Sequence, residues 1–146
     1  MFSMLTKISV SDDLKFQATL LTESFVLKSD TPGEKSLFDF QNYIYFKVNI
    51  SAPKEGLDVE TVDNPYPMIT LTAGADTVKP LSQIHVKDIK TFYRKEEPVS
   101  VMFYCAFPKT LLTPDTNALS LSFNNKKSKA GLAWELKSLR ASSLFP

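Results

Sequence analysis

The amino-acid sequence predicts an all-β fold, an immunoglobulin-like antiparallel β-sandwich of about seven or eight strands in a single domain over residues 1–146. Glycine and proline interrupt the chain at short intervals, which leaves segments of strand length between them. Within several of those segments apolar and polar side chains alternate with a period of two. Hydrophobic residues make up 43% of the chain, enough for a core between two sheets, and a small barrel fits the same pattern.

The clearest predicted strand runs from Phe40 to Ser51. One face is apolar and carries Ile44, Phe46, Val48 and Ile50. The other face is mixed and carries Tyr43, Tyr45, Lys47 and Asn49. Because the alternation continues over eight residues without a slip, this segment is typical of a strand with one buried face.

A second strand is predicted from Val99 to Phe107, and both of its faces lean apolar. One face carries Val99, Val101, Phe103, Cys105 and Phe107, and the other carries Ser100, Met102, Tyr104 and Ala106. An uncharged strand of this length at a sheet edge would invite pairing between molecules. We therefore expect it in the interior of a sheet, covered on much of both faces.

The remaining strands are shorter. Alternation from Leu119 to Phe123 and from Leu132 to Leu136 predicts a hairpin, and Met68 to Thr72 predicts a short strand between Pro67 and Gly74. The segment from Ile84 to Phe92 fits a strand with a bulge or a turn of helix. The segment from Leu14 to Leu27 fits a strand, which its Thr and Val residues favour, or a helix capped by Ser11, Asp12 or Asp13.

The charge balance argues against nucleic acid as a partner. The formal net charge is +1, and only two of the 17 basic residues are arginines, Arg94 and Arg140. The densest basic run spans residues 126–129, which reads as a solvated hairpin tip or, alternatively, as a small phosphate patch. No apolar stretch reaches the length of about 20 residues that a membrane-spanning helix needs.

The residues available for catalysis are few, and the sequence predicts no enzyme and no cofactor. The single cysteine, Cys105, and the single histidine, His85, are predicted to point to opposite sides of a sheet, so they cannot form a catalytic pair. Cys105 is predicted to be a buried thiol. The four glycines are too far apart for a phosphate-binding loop. Four residues between Gly56 and Pro65 have side-chain oxygens that could hold calcium: Asp58, Glu60, Asp63 and Asn64. The simpler interpretation is a solvated acidic loop, so no metal site is predicted.

Surface recognition is the function class that the sequence favours. If the two clearest strands are neighbours, their outer faces bring together four candidate partner-binding residues: Tyr43, Tyr45, Met102 and Tyr104. Tyrosine and methionine are enriched at the centres of protein interfaces. The plainer interpretation is ordinary sheet decoration covered by a loop. The sequence therefore predicts a protein–protein interaction or assembly module, with a protein partner, no nucleic acid and self-association left open.

Two other functions stay open at this stage. A binding site for a carbohydrate would use exposed flat aromatic rings, and a site for a lipid would use an apolar hollow. An enzyme working through the acidic segment around Asp58 and Asp63 is the least favoured interpretation.

Overall fold

A computed structural model describes residues 5–11, 14–22, 38–52, 56–84, 86 and 88–141. Its strands are β1 (Thr6–Val10), β2 (Lys15–Leu21), β3 (Tyr43–Ser51), β4 (Ile69–Ala73), β5 (Asp76–Val78), β6 (Lys90–Arg94), β7 (Glu97–Pro108), β8 (Ala118–Asn124) and β9 (Lys129–Glu135). Two short helices are α1 (Val59–Asp63) and α2 (Leu136–Ala141), and single 3-10 turns lie at Tyr66–Met68 and Lys109–Leu111.

The strands form two antiparallel sheets, as the alternation predicts. A five-stranded sheet has the order β1-β2-β3-β7-β6, and a four-stranded sheet has the order β5-β4-β8-β9. The long uncharged segment of β7 lies between β3 and β6, so the prediction of an interior strand is confirmed. This position protects its hydrogen-bonding edges on both sides.

The core lies between the two sheets, where apolar side chains from both of them meet. Phe16 of β2 approaches Phe123 of β8 with ring centroids 5.8 Å apart, and Phe46 of β3 lies 5.0 Å from Trp134 of β9. The fully buried Trp134 also donates a 2.8 Å hydrogen bond from Nε1 to the carbonyl oxygen of Leu5. This bond links the start of β1 to the opposite sheet and satisfies a polar group that burial would otherwise penalise.

The predicted hairpin is formed by β8 and β9, which pair without interruption over seven residues. Its lysine-rich tip is organised by Asn125, whose Oδ1 accepts hydrogen bonds from the backbone N–H groups of Lys127 and Ser128 at 2.9 and 2.6 Å. An asparagine that bonds backbone two and three residues ahead stabilises a turn. Lys126, Lys127 and Lys129 are exposed there, which fits a solvated tip.

Other segments differ from the sequence expectation at their ends. The ambiguous segment after Leu14 is a strand as far as Leu21, and residues 23–27 lie outside the described part of the chain. Leu136, expected at the end of a strand, instead begins α2. In a helix, residues three apart lie on the same face, so Leu136 and Leu139 are both buried in the core. The irregular segment becomes a strand only from Lys90, with a register shift between Phe92 and Tyr93.

Candidate functional site

The four candidate partner-binding residues lie on one face of the five-stranded sheet, as predicted. Strands β3 and β7 are neighbours, and their register places Tyr45 opposite Ala106, Lys47 opposite Tyr104 and Asn49 opposite Met102. Directly opposed residues of an antiparallel pair point to the same side. The side chains of Phe46 and Cys105 point to the other side, into the core, so this face is the outer face of the sheet.

The expectation that these residues form an exposed platform is wrong for two of them. Tyr45 is 1% exposed and Tyr104 is 5% exposed. Both belong to a second buried cluster on the outer face, which also contains Leu21, Phe38, Val86 and Ala106. The cover comes from Phe38, Phe40, Ile84 and Val86, so the alternative in which a loop covers the tyrosines describes their packing. A role of the four residues in partner binding stays a prediction.

Tyr45 is the centre of this second cluster. Its ring makes edge contacts with Phe38, Phe40 and Tyr43, at centroid distances of 5.0, 5.5 and 6.2 Å. Its hydroxyl oxygen accepts a 2.9 Å hydrogen bond from the backbone N–H of Asp39. Desolvation by burial raises the pKa of Tyr45, an effect that this hydrogen bond partly opposes. The tyrosine therefore holds the covering segment in place through both its ring and its hydroxyl.

The cover divides the outer face into two parts. We call the part under Phe38, Phe40 and Val86 the sealed half. Beyond the row that contains Tyr104, Lys47, Thr19 and Thr6 lies the part that we call the open half, which consists of two rows of residues that cross all five strands in register. One row contains Ile8, Gln17, Asn49, Met102 and Lys90, and the next contains Val10, Lys15, Ser51, Ser100 and Phe92.

The open half has exposed apolar side chains at both edges. Ile8 and Val10 of β1 are 52% and 72% exposed, and Phe92 of β6 is 50% exposed. Met102, the one predicted partner residue in these rows, is half-buried between them, and Tyr43 is half-buried at the sealed end. Two of the ten residues in the rows, Lys15 and Lys90, are cationic and none is acidic. Sequence reasoning missed Ile8, Val10 and Phe92, because β1 is short and β6 is irregular.

A groove of about 360 Å³ opens where the open half meets the end of the sheet. Its walls are mainly apolar and come from the ends of β1, β2, β3, β6 and β7, with lining residues Val10, Ser11, Leu14, Lys15, Ser51, Ala52, Arg94, Val99 and Ser100. Two of these side chains, Lys15 and Arg94, are cationic. The groove is large enough for a small ligand.

Cys105 is buried in the main core with Val101 and Phe103, which confirms its prediction as a buried thiol. Burial strongly raises the pKa of its thiol. A thiol held neutral in an apolar interior is a poor nucleophile, since the thiolate is the reactive form. His85, its only conceivable imidazole partner in the sequence, lies outside the described residues.

The acidic segment forms α1 and a contact with the hairpin tip. One carboxylate oxygen of Asp58 accepts hydrogen bonds from the Thr61 hydroxyl and, at 3.3 Å, from the Asn125 side-chain amide. Glu60 approaches Lys126 at 3.5 Å, and both side chains are well exposed. Within the described ranges, no three Cys, His, Asp or Glu side chains converge as a metal site would require. The carboxylate of Asp58 thus holds helix and hairpin together.

Comparisons with protein families, with curated proteins and with solved structures found no match to this chain. None of the helices in the described part of the chain has the length and apolar character needed to cross a membrane.

Proposed function

We propose that this protein is a non-enzymatic recognition module that binds a protein partner through the open half of its five-stranded sheet. The observation that supports the proposal is the division of the outer face. A second cluster seals one half, while the other half leaves Ile8, Val10 and Phe92 exposed. Apolar side chains exposed on one face of a sheet are candidate anchors for an interaction site.

The chemistry of the open half indicates what kind of surface it fits. The rows span five strands, so their exposed edges lie about 19 Å apart at a strand spacing of about 4.8 Å. Polar residues and Met102 fill the space between them, and Lys15 and Lys90 add positive charge. We expect a protein surface with apolar anchors and acidic residues around them, since complementary charge favours correct docking.

In this proposal the protein resembles immunoglobulin domains in two respects: it packs two antiparallel sheets together, and it binds a partner through them. A rigid pair of antiparallel sheets presents one face to a partner. Its strand order β1-β2-β3-β7-β6 nevertheless differs from the immunoglobulin order, in which the third strand belongs to the other sheet. The kinship proposed is therefore one of architecture, and the partner has to be found by experiment.

The test compares two matched variants in complexes recovered from the native source. The double variant Ile8→Ser, Phe92→Ser removes one exposed apolar anchor from each edge of the open half. Val59→Ser is the control, because Val59 is also exposed, at 72%, but lies on α1. We expect the double variant to bind the partner about tenfold more weakly or worse, with an unchanged melting temperature. Equal binding by both variants would contradict the proposal.

The groove supports a second candidate function, the binding of a small apolar ligand with an acidic head group. Its apolar walls suit a hydrocarbon chain, and its lining includes two cationic side chains, Lys15 and Arg94, of the charge that attracts a carboxylate. Titration with a fluorescent fatty acid tests this candidate. Val99→Trp, which fills the groove, should abolish saturable binding, whereas Val59→Trp should leave it intact. Absence of saturable binding by the wild-type protein would remove the candidate.

A further inference from the structure

The edges of the two sheets differ in how well they are protected from pairing with another chain. Strand β6 has a register shift between Phe92 and Tyr93, β5 has only three residues, and β1 has five residues and packs near β9. Short and irregular edges discourage pairing between molecules. Strand β9 has seven residues, contains no proline and keeps an unbroken register with β8. In the part of the chain that the structure describes, no strand pairs with its outer edge.

The hydrogen-bond phase of β9 shows which of its backbone groups face that edge. Leu136 N–H donates to Asn117 O at 2.9 Å, and Asn125 N–H donates to Ser128 O at 3.0 Å. In the β8–β9 register these are directly opposed residues, so the even-numbered residues of β9 bond to β8. The odd-numbered residues therefore point their N–H and C=O groups away from β8: Lys129, Gly131, Ala133 and Glu135.

The side chains of the same four residues leave the edge accessible. All four are exposed on the outer face of the four-stranded sheet. A side-chain carbon added at Gly131 would meet no atom within 4 Å. Between the two charged ends of the strand, the exposed face thus contains only glycine and alanine. Among the described residues, the small side chains on that face leave room for another strand beside Gly131 and Ala133, while β1 packs near β9 from the other sheet.

We infer that β9 pairs antiparallel with β9 of a second copy of this chain, about a two-fold axis at Leu132. This register pairs the outward-facing backbone groups of Gly131 with those of Ala133 of the partner subunit. It also places Lys129 directly opposite Glu135 of the partner subunit, and the symmetry repeats that pair. Opposite charges facing each other across antiparallel strands stabilise the pairing.

The charge pattern of β9 favours a second copy of this chain as the strand that pairs with its outer edge. The strand carries one cation at its start and one anion at its end, so it complements itself when reversed. The same operation on β6 would place Lys90 opposite Arg94 of the partner subunit, which is repulsive. Self-pairing of β9 joins both ends with opposite charges while using the hydrogen-bond phase that the strand already has.

The dimer would consist of two four-stranded sheets joined into one sheet of eight strands. Each copy would keep its open half, because that surface belongs to the other sheet. A partner that repeats along a surface would then be bound at two points, which raises the apparent affinity without any new contact. The two proposals use different surfaces, so each can fail without the other.

The first test is sedimentation of the wild-type protein and of Ala133→Pro over a range of concentrations. The N–H of Ala133 faces the free edge, so proline removes no bond to β8 and is tolerated at such a position. We expect concentration-dependent dimers for the wild type and monomers for the variant. A wild-type protein that stays monomeric at several hundred micromolar overturns the inference, as does a dimer that survives Ala133→Pro.

A second test stays decisive if the proline variant fails to fold. Lys129→Glu gives a strand with carboxylates at both ends, and Glu135→Lys gives a strand with ammonium groups at both ends. Each variant alone should dimerise about tenfold more weakly, because two opposed pairs become repulsive. An equimolar mixture should form heterodimers at wild-type strength. Asp115→Lys, an exposed charge reversal outside β9, should leave dimerisation unchanged.

The mixture distinguishes the possible occupants of the edge. Heterodimers restored by mixing support the inference. Variants that dimerise as well as the wild type, or a mixture that stays monomeric, overturn it. If Ile8→Ser, Phe92→Ser abolishes the dimer and the β9 variants do not, the open half is the self-association surface and the inference for β9 is overturned.

Discussion

Tyr45 shows how one residue connects the two sides of the five-stranded sheet. Its neighbours Ile44 and Phe46 point into the main core, while its own ring lies in the second cluster under Phe38. Its alternation with apolar neighbours predicts an outward direction, and that prediction is confirmed. Alternation contains no information about what covers an outward side chain, so the burial of Tyr45 and Tyr104 could not be predicted from the pattern of their strands. Two phenylalanines just before β3, Phe38 and Phe40, were the feature of the sequence that could have indicated an apolar cover over this face.

Replacing Tyr45 should destabilise the fold far more than replacing its half-buried neighbour Tyr43. Tyr45→Ala removes a ring that is 1% exposed and contacts three other aromatic rings, so we expect a loss of about 3–5 kcal/mol in the free energy of unfolding. Tyr43→Ala removes a half-buried ring and should cost clearly less. Urea denaturation measures both. A loss below about 1 kcal/mol for Tyr45→Ala would mean that the sealed half is not packed.

The same tyrosine should weaken the fold at alkaline pH. Burial raises the pKa of Tyr45 above its ordinary value of 10.0, and burial also raises the pKa values of Tyr66 and Cys105. The unfolded chain therefore loses these protons first. The stabilisation is fully present below about pH 9 and is lost as the pH rises through the raised pKa values.

We expect the free energy of unfolding to fall above about pH 9, with a shallower fall in Tyr45→Phe. The slope should not vanish in that variant, because Tyr66 and Cys105 remain. Chemical denaturation at a series of pH values is the measurement. An identical slope for the wild type and Tyr45→Phe would show that the Tyr45 hydroxyl is as accessible to water as in the unfolded chain.

At the scale of elements, two glycines adopt left-handed backbone conformations that a side chain would strain. Gly56 has a φ of +68° and lies against the carbonyl oxygen of Pro98, which accepts a 2.8 Å hydrogen bond from Leu57 N–H. An added side-chain carbon at Gly56 would overlap this oxygen. Gly74 has a φ of +62° in the turn between β4 and β5, where the surrounding space is open. Only the first of them is limited by both backbone conformation and space.

A series of alanine substitutions separates these two causes. Gly74→Ala should cost about 1 kcal/mol for the left-handed conformation alone. Gly56→Ala should cost more, about 2–4 kcal/mol, because the backbone near Pro98 must also shift. Gly131→Ala, with ordinary backbone and open space, is the control and should change stability little. Thermal unfolding of the three variants checks the order, and equal losses at Gly56 and Gly74 would contradict it.

The elements also show where sequence patterns stop being informative. The strands β3, β7, β8 and β9 alternate clearly and were predicted. The strand β1 was not predicted, because five residues with two serine or threonine positions and one lysine give too short a pattern. The pairing of β1 with β2 selects the strand, and the bond from Trp134 to Leu5 anchors its start. Long-range contacts of this kind cannot be read from a local period.

At the scale of the whole molecule, the two sheets give the chain two kinds of uncovered surface. The open half presents apolar side chains and lysines on the face of one sheet, and β9 presents backbone groups at the edge of the other. The sequence predicted the layers, and it predicted a recognition function, which stays a prediction, with its surface around Tyr45 and Tyr104. In the structure, segment 38–40 packs over the tyrosines and buries them. The candidate surface is therefore the part of the sheet that contains Met102, Ile8 and Phe92.

Lysine footprinting of the protein with its recovered partner tests the central proposal most directly. Lys15 and Lys90 lie in the open half, whereas Lys79 and Lys126 are exposed beside the four-stranded sheet. Acetylation read by mass spectrometry reports the accessibility of each ammonium group. Partner binding should protect Lys15 and Lys90 and leave Lys79 and Lys126 as reactive as in the free protein. Protection of Lys79 and Lys126 with no change at Lys15 and Lys90 would contradict recognition through the open half.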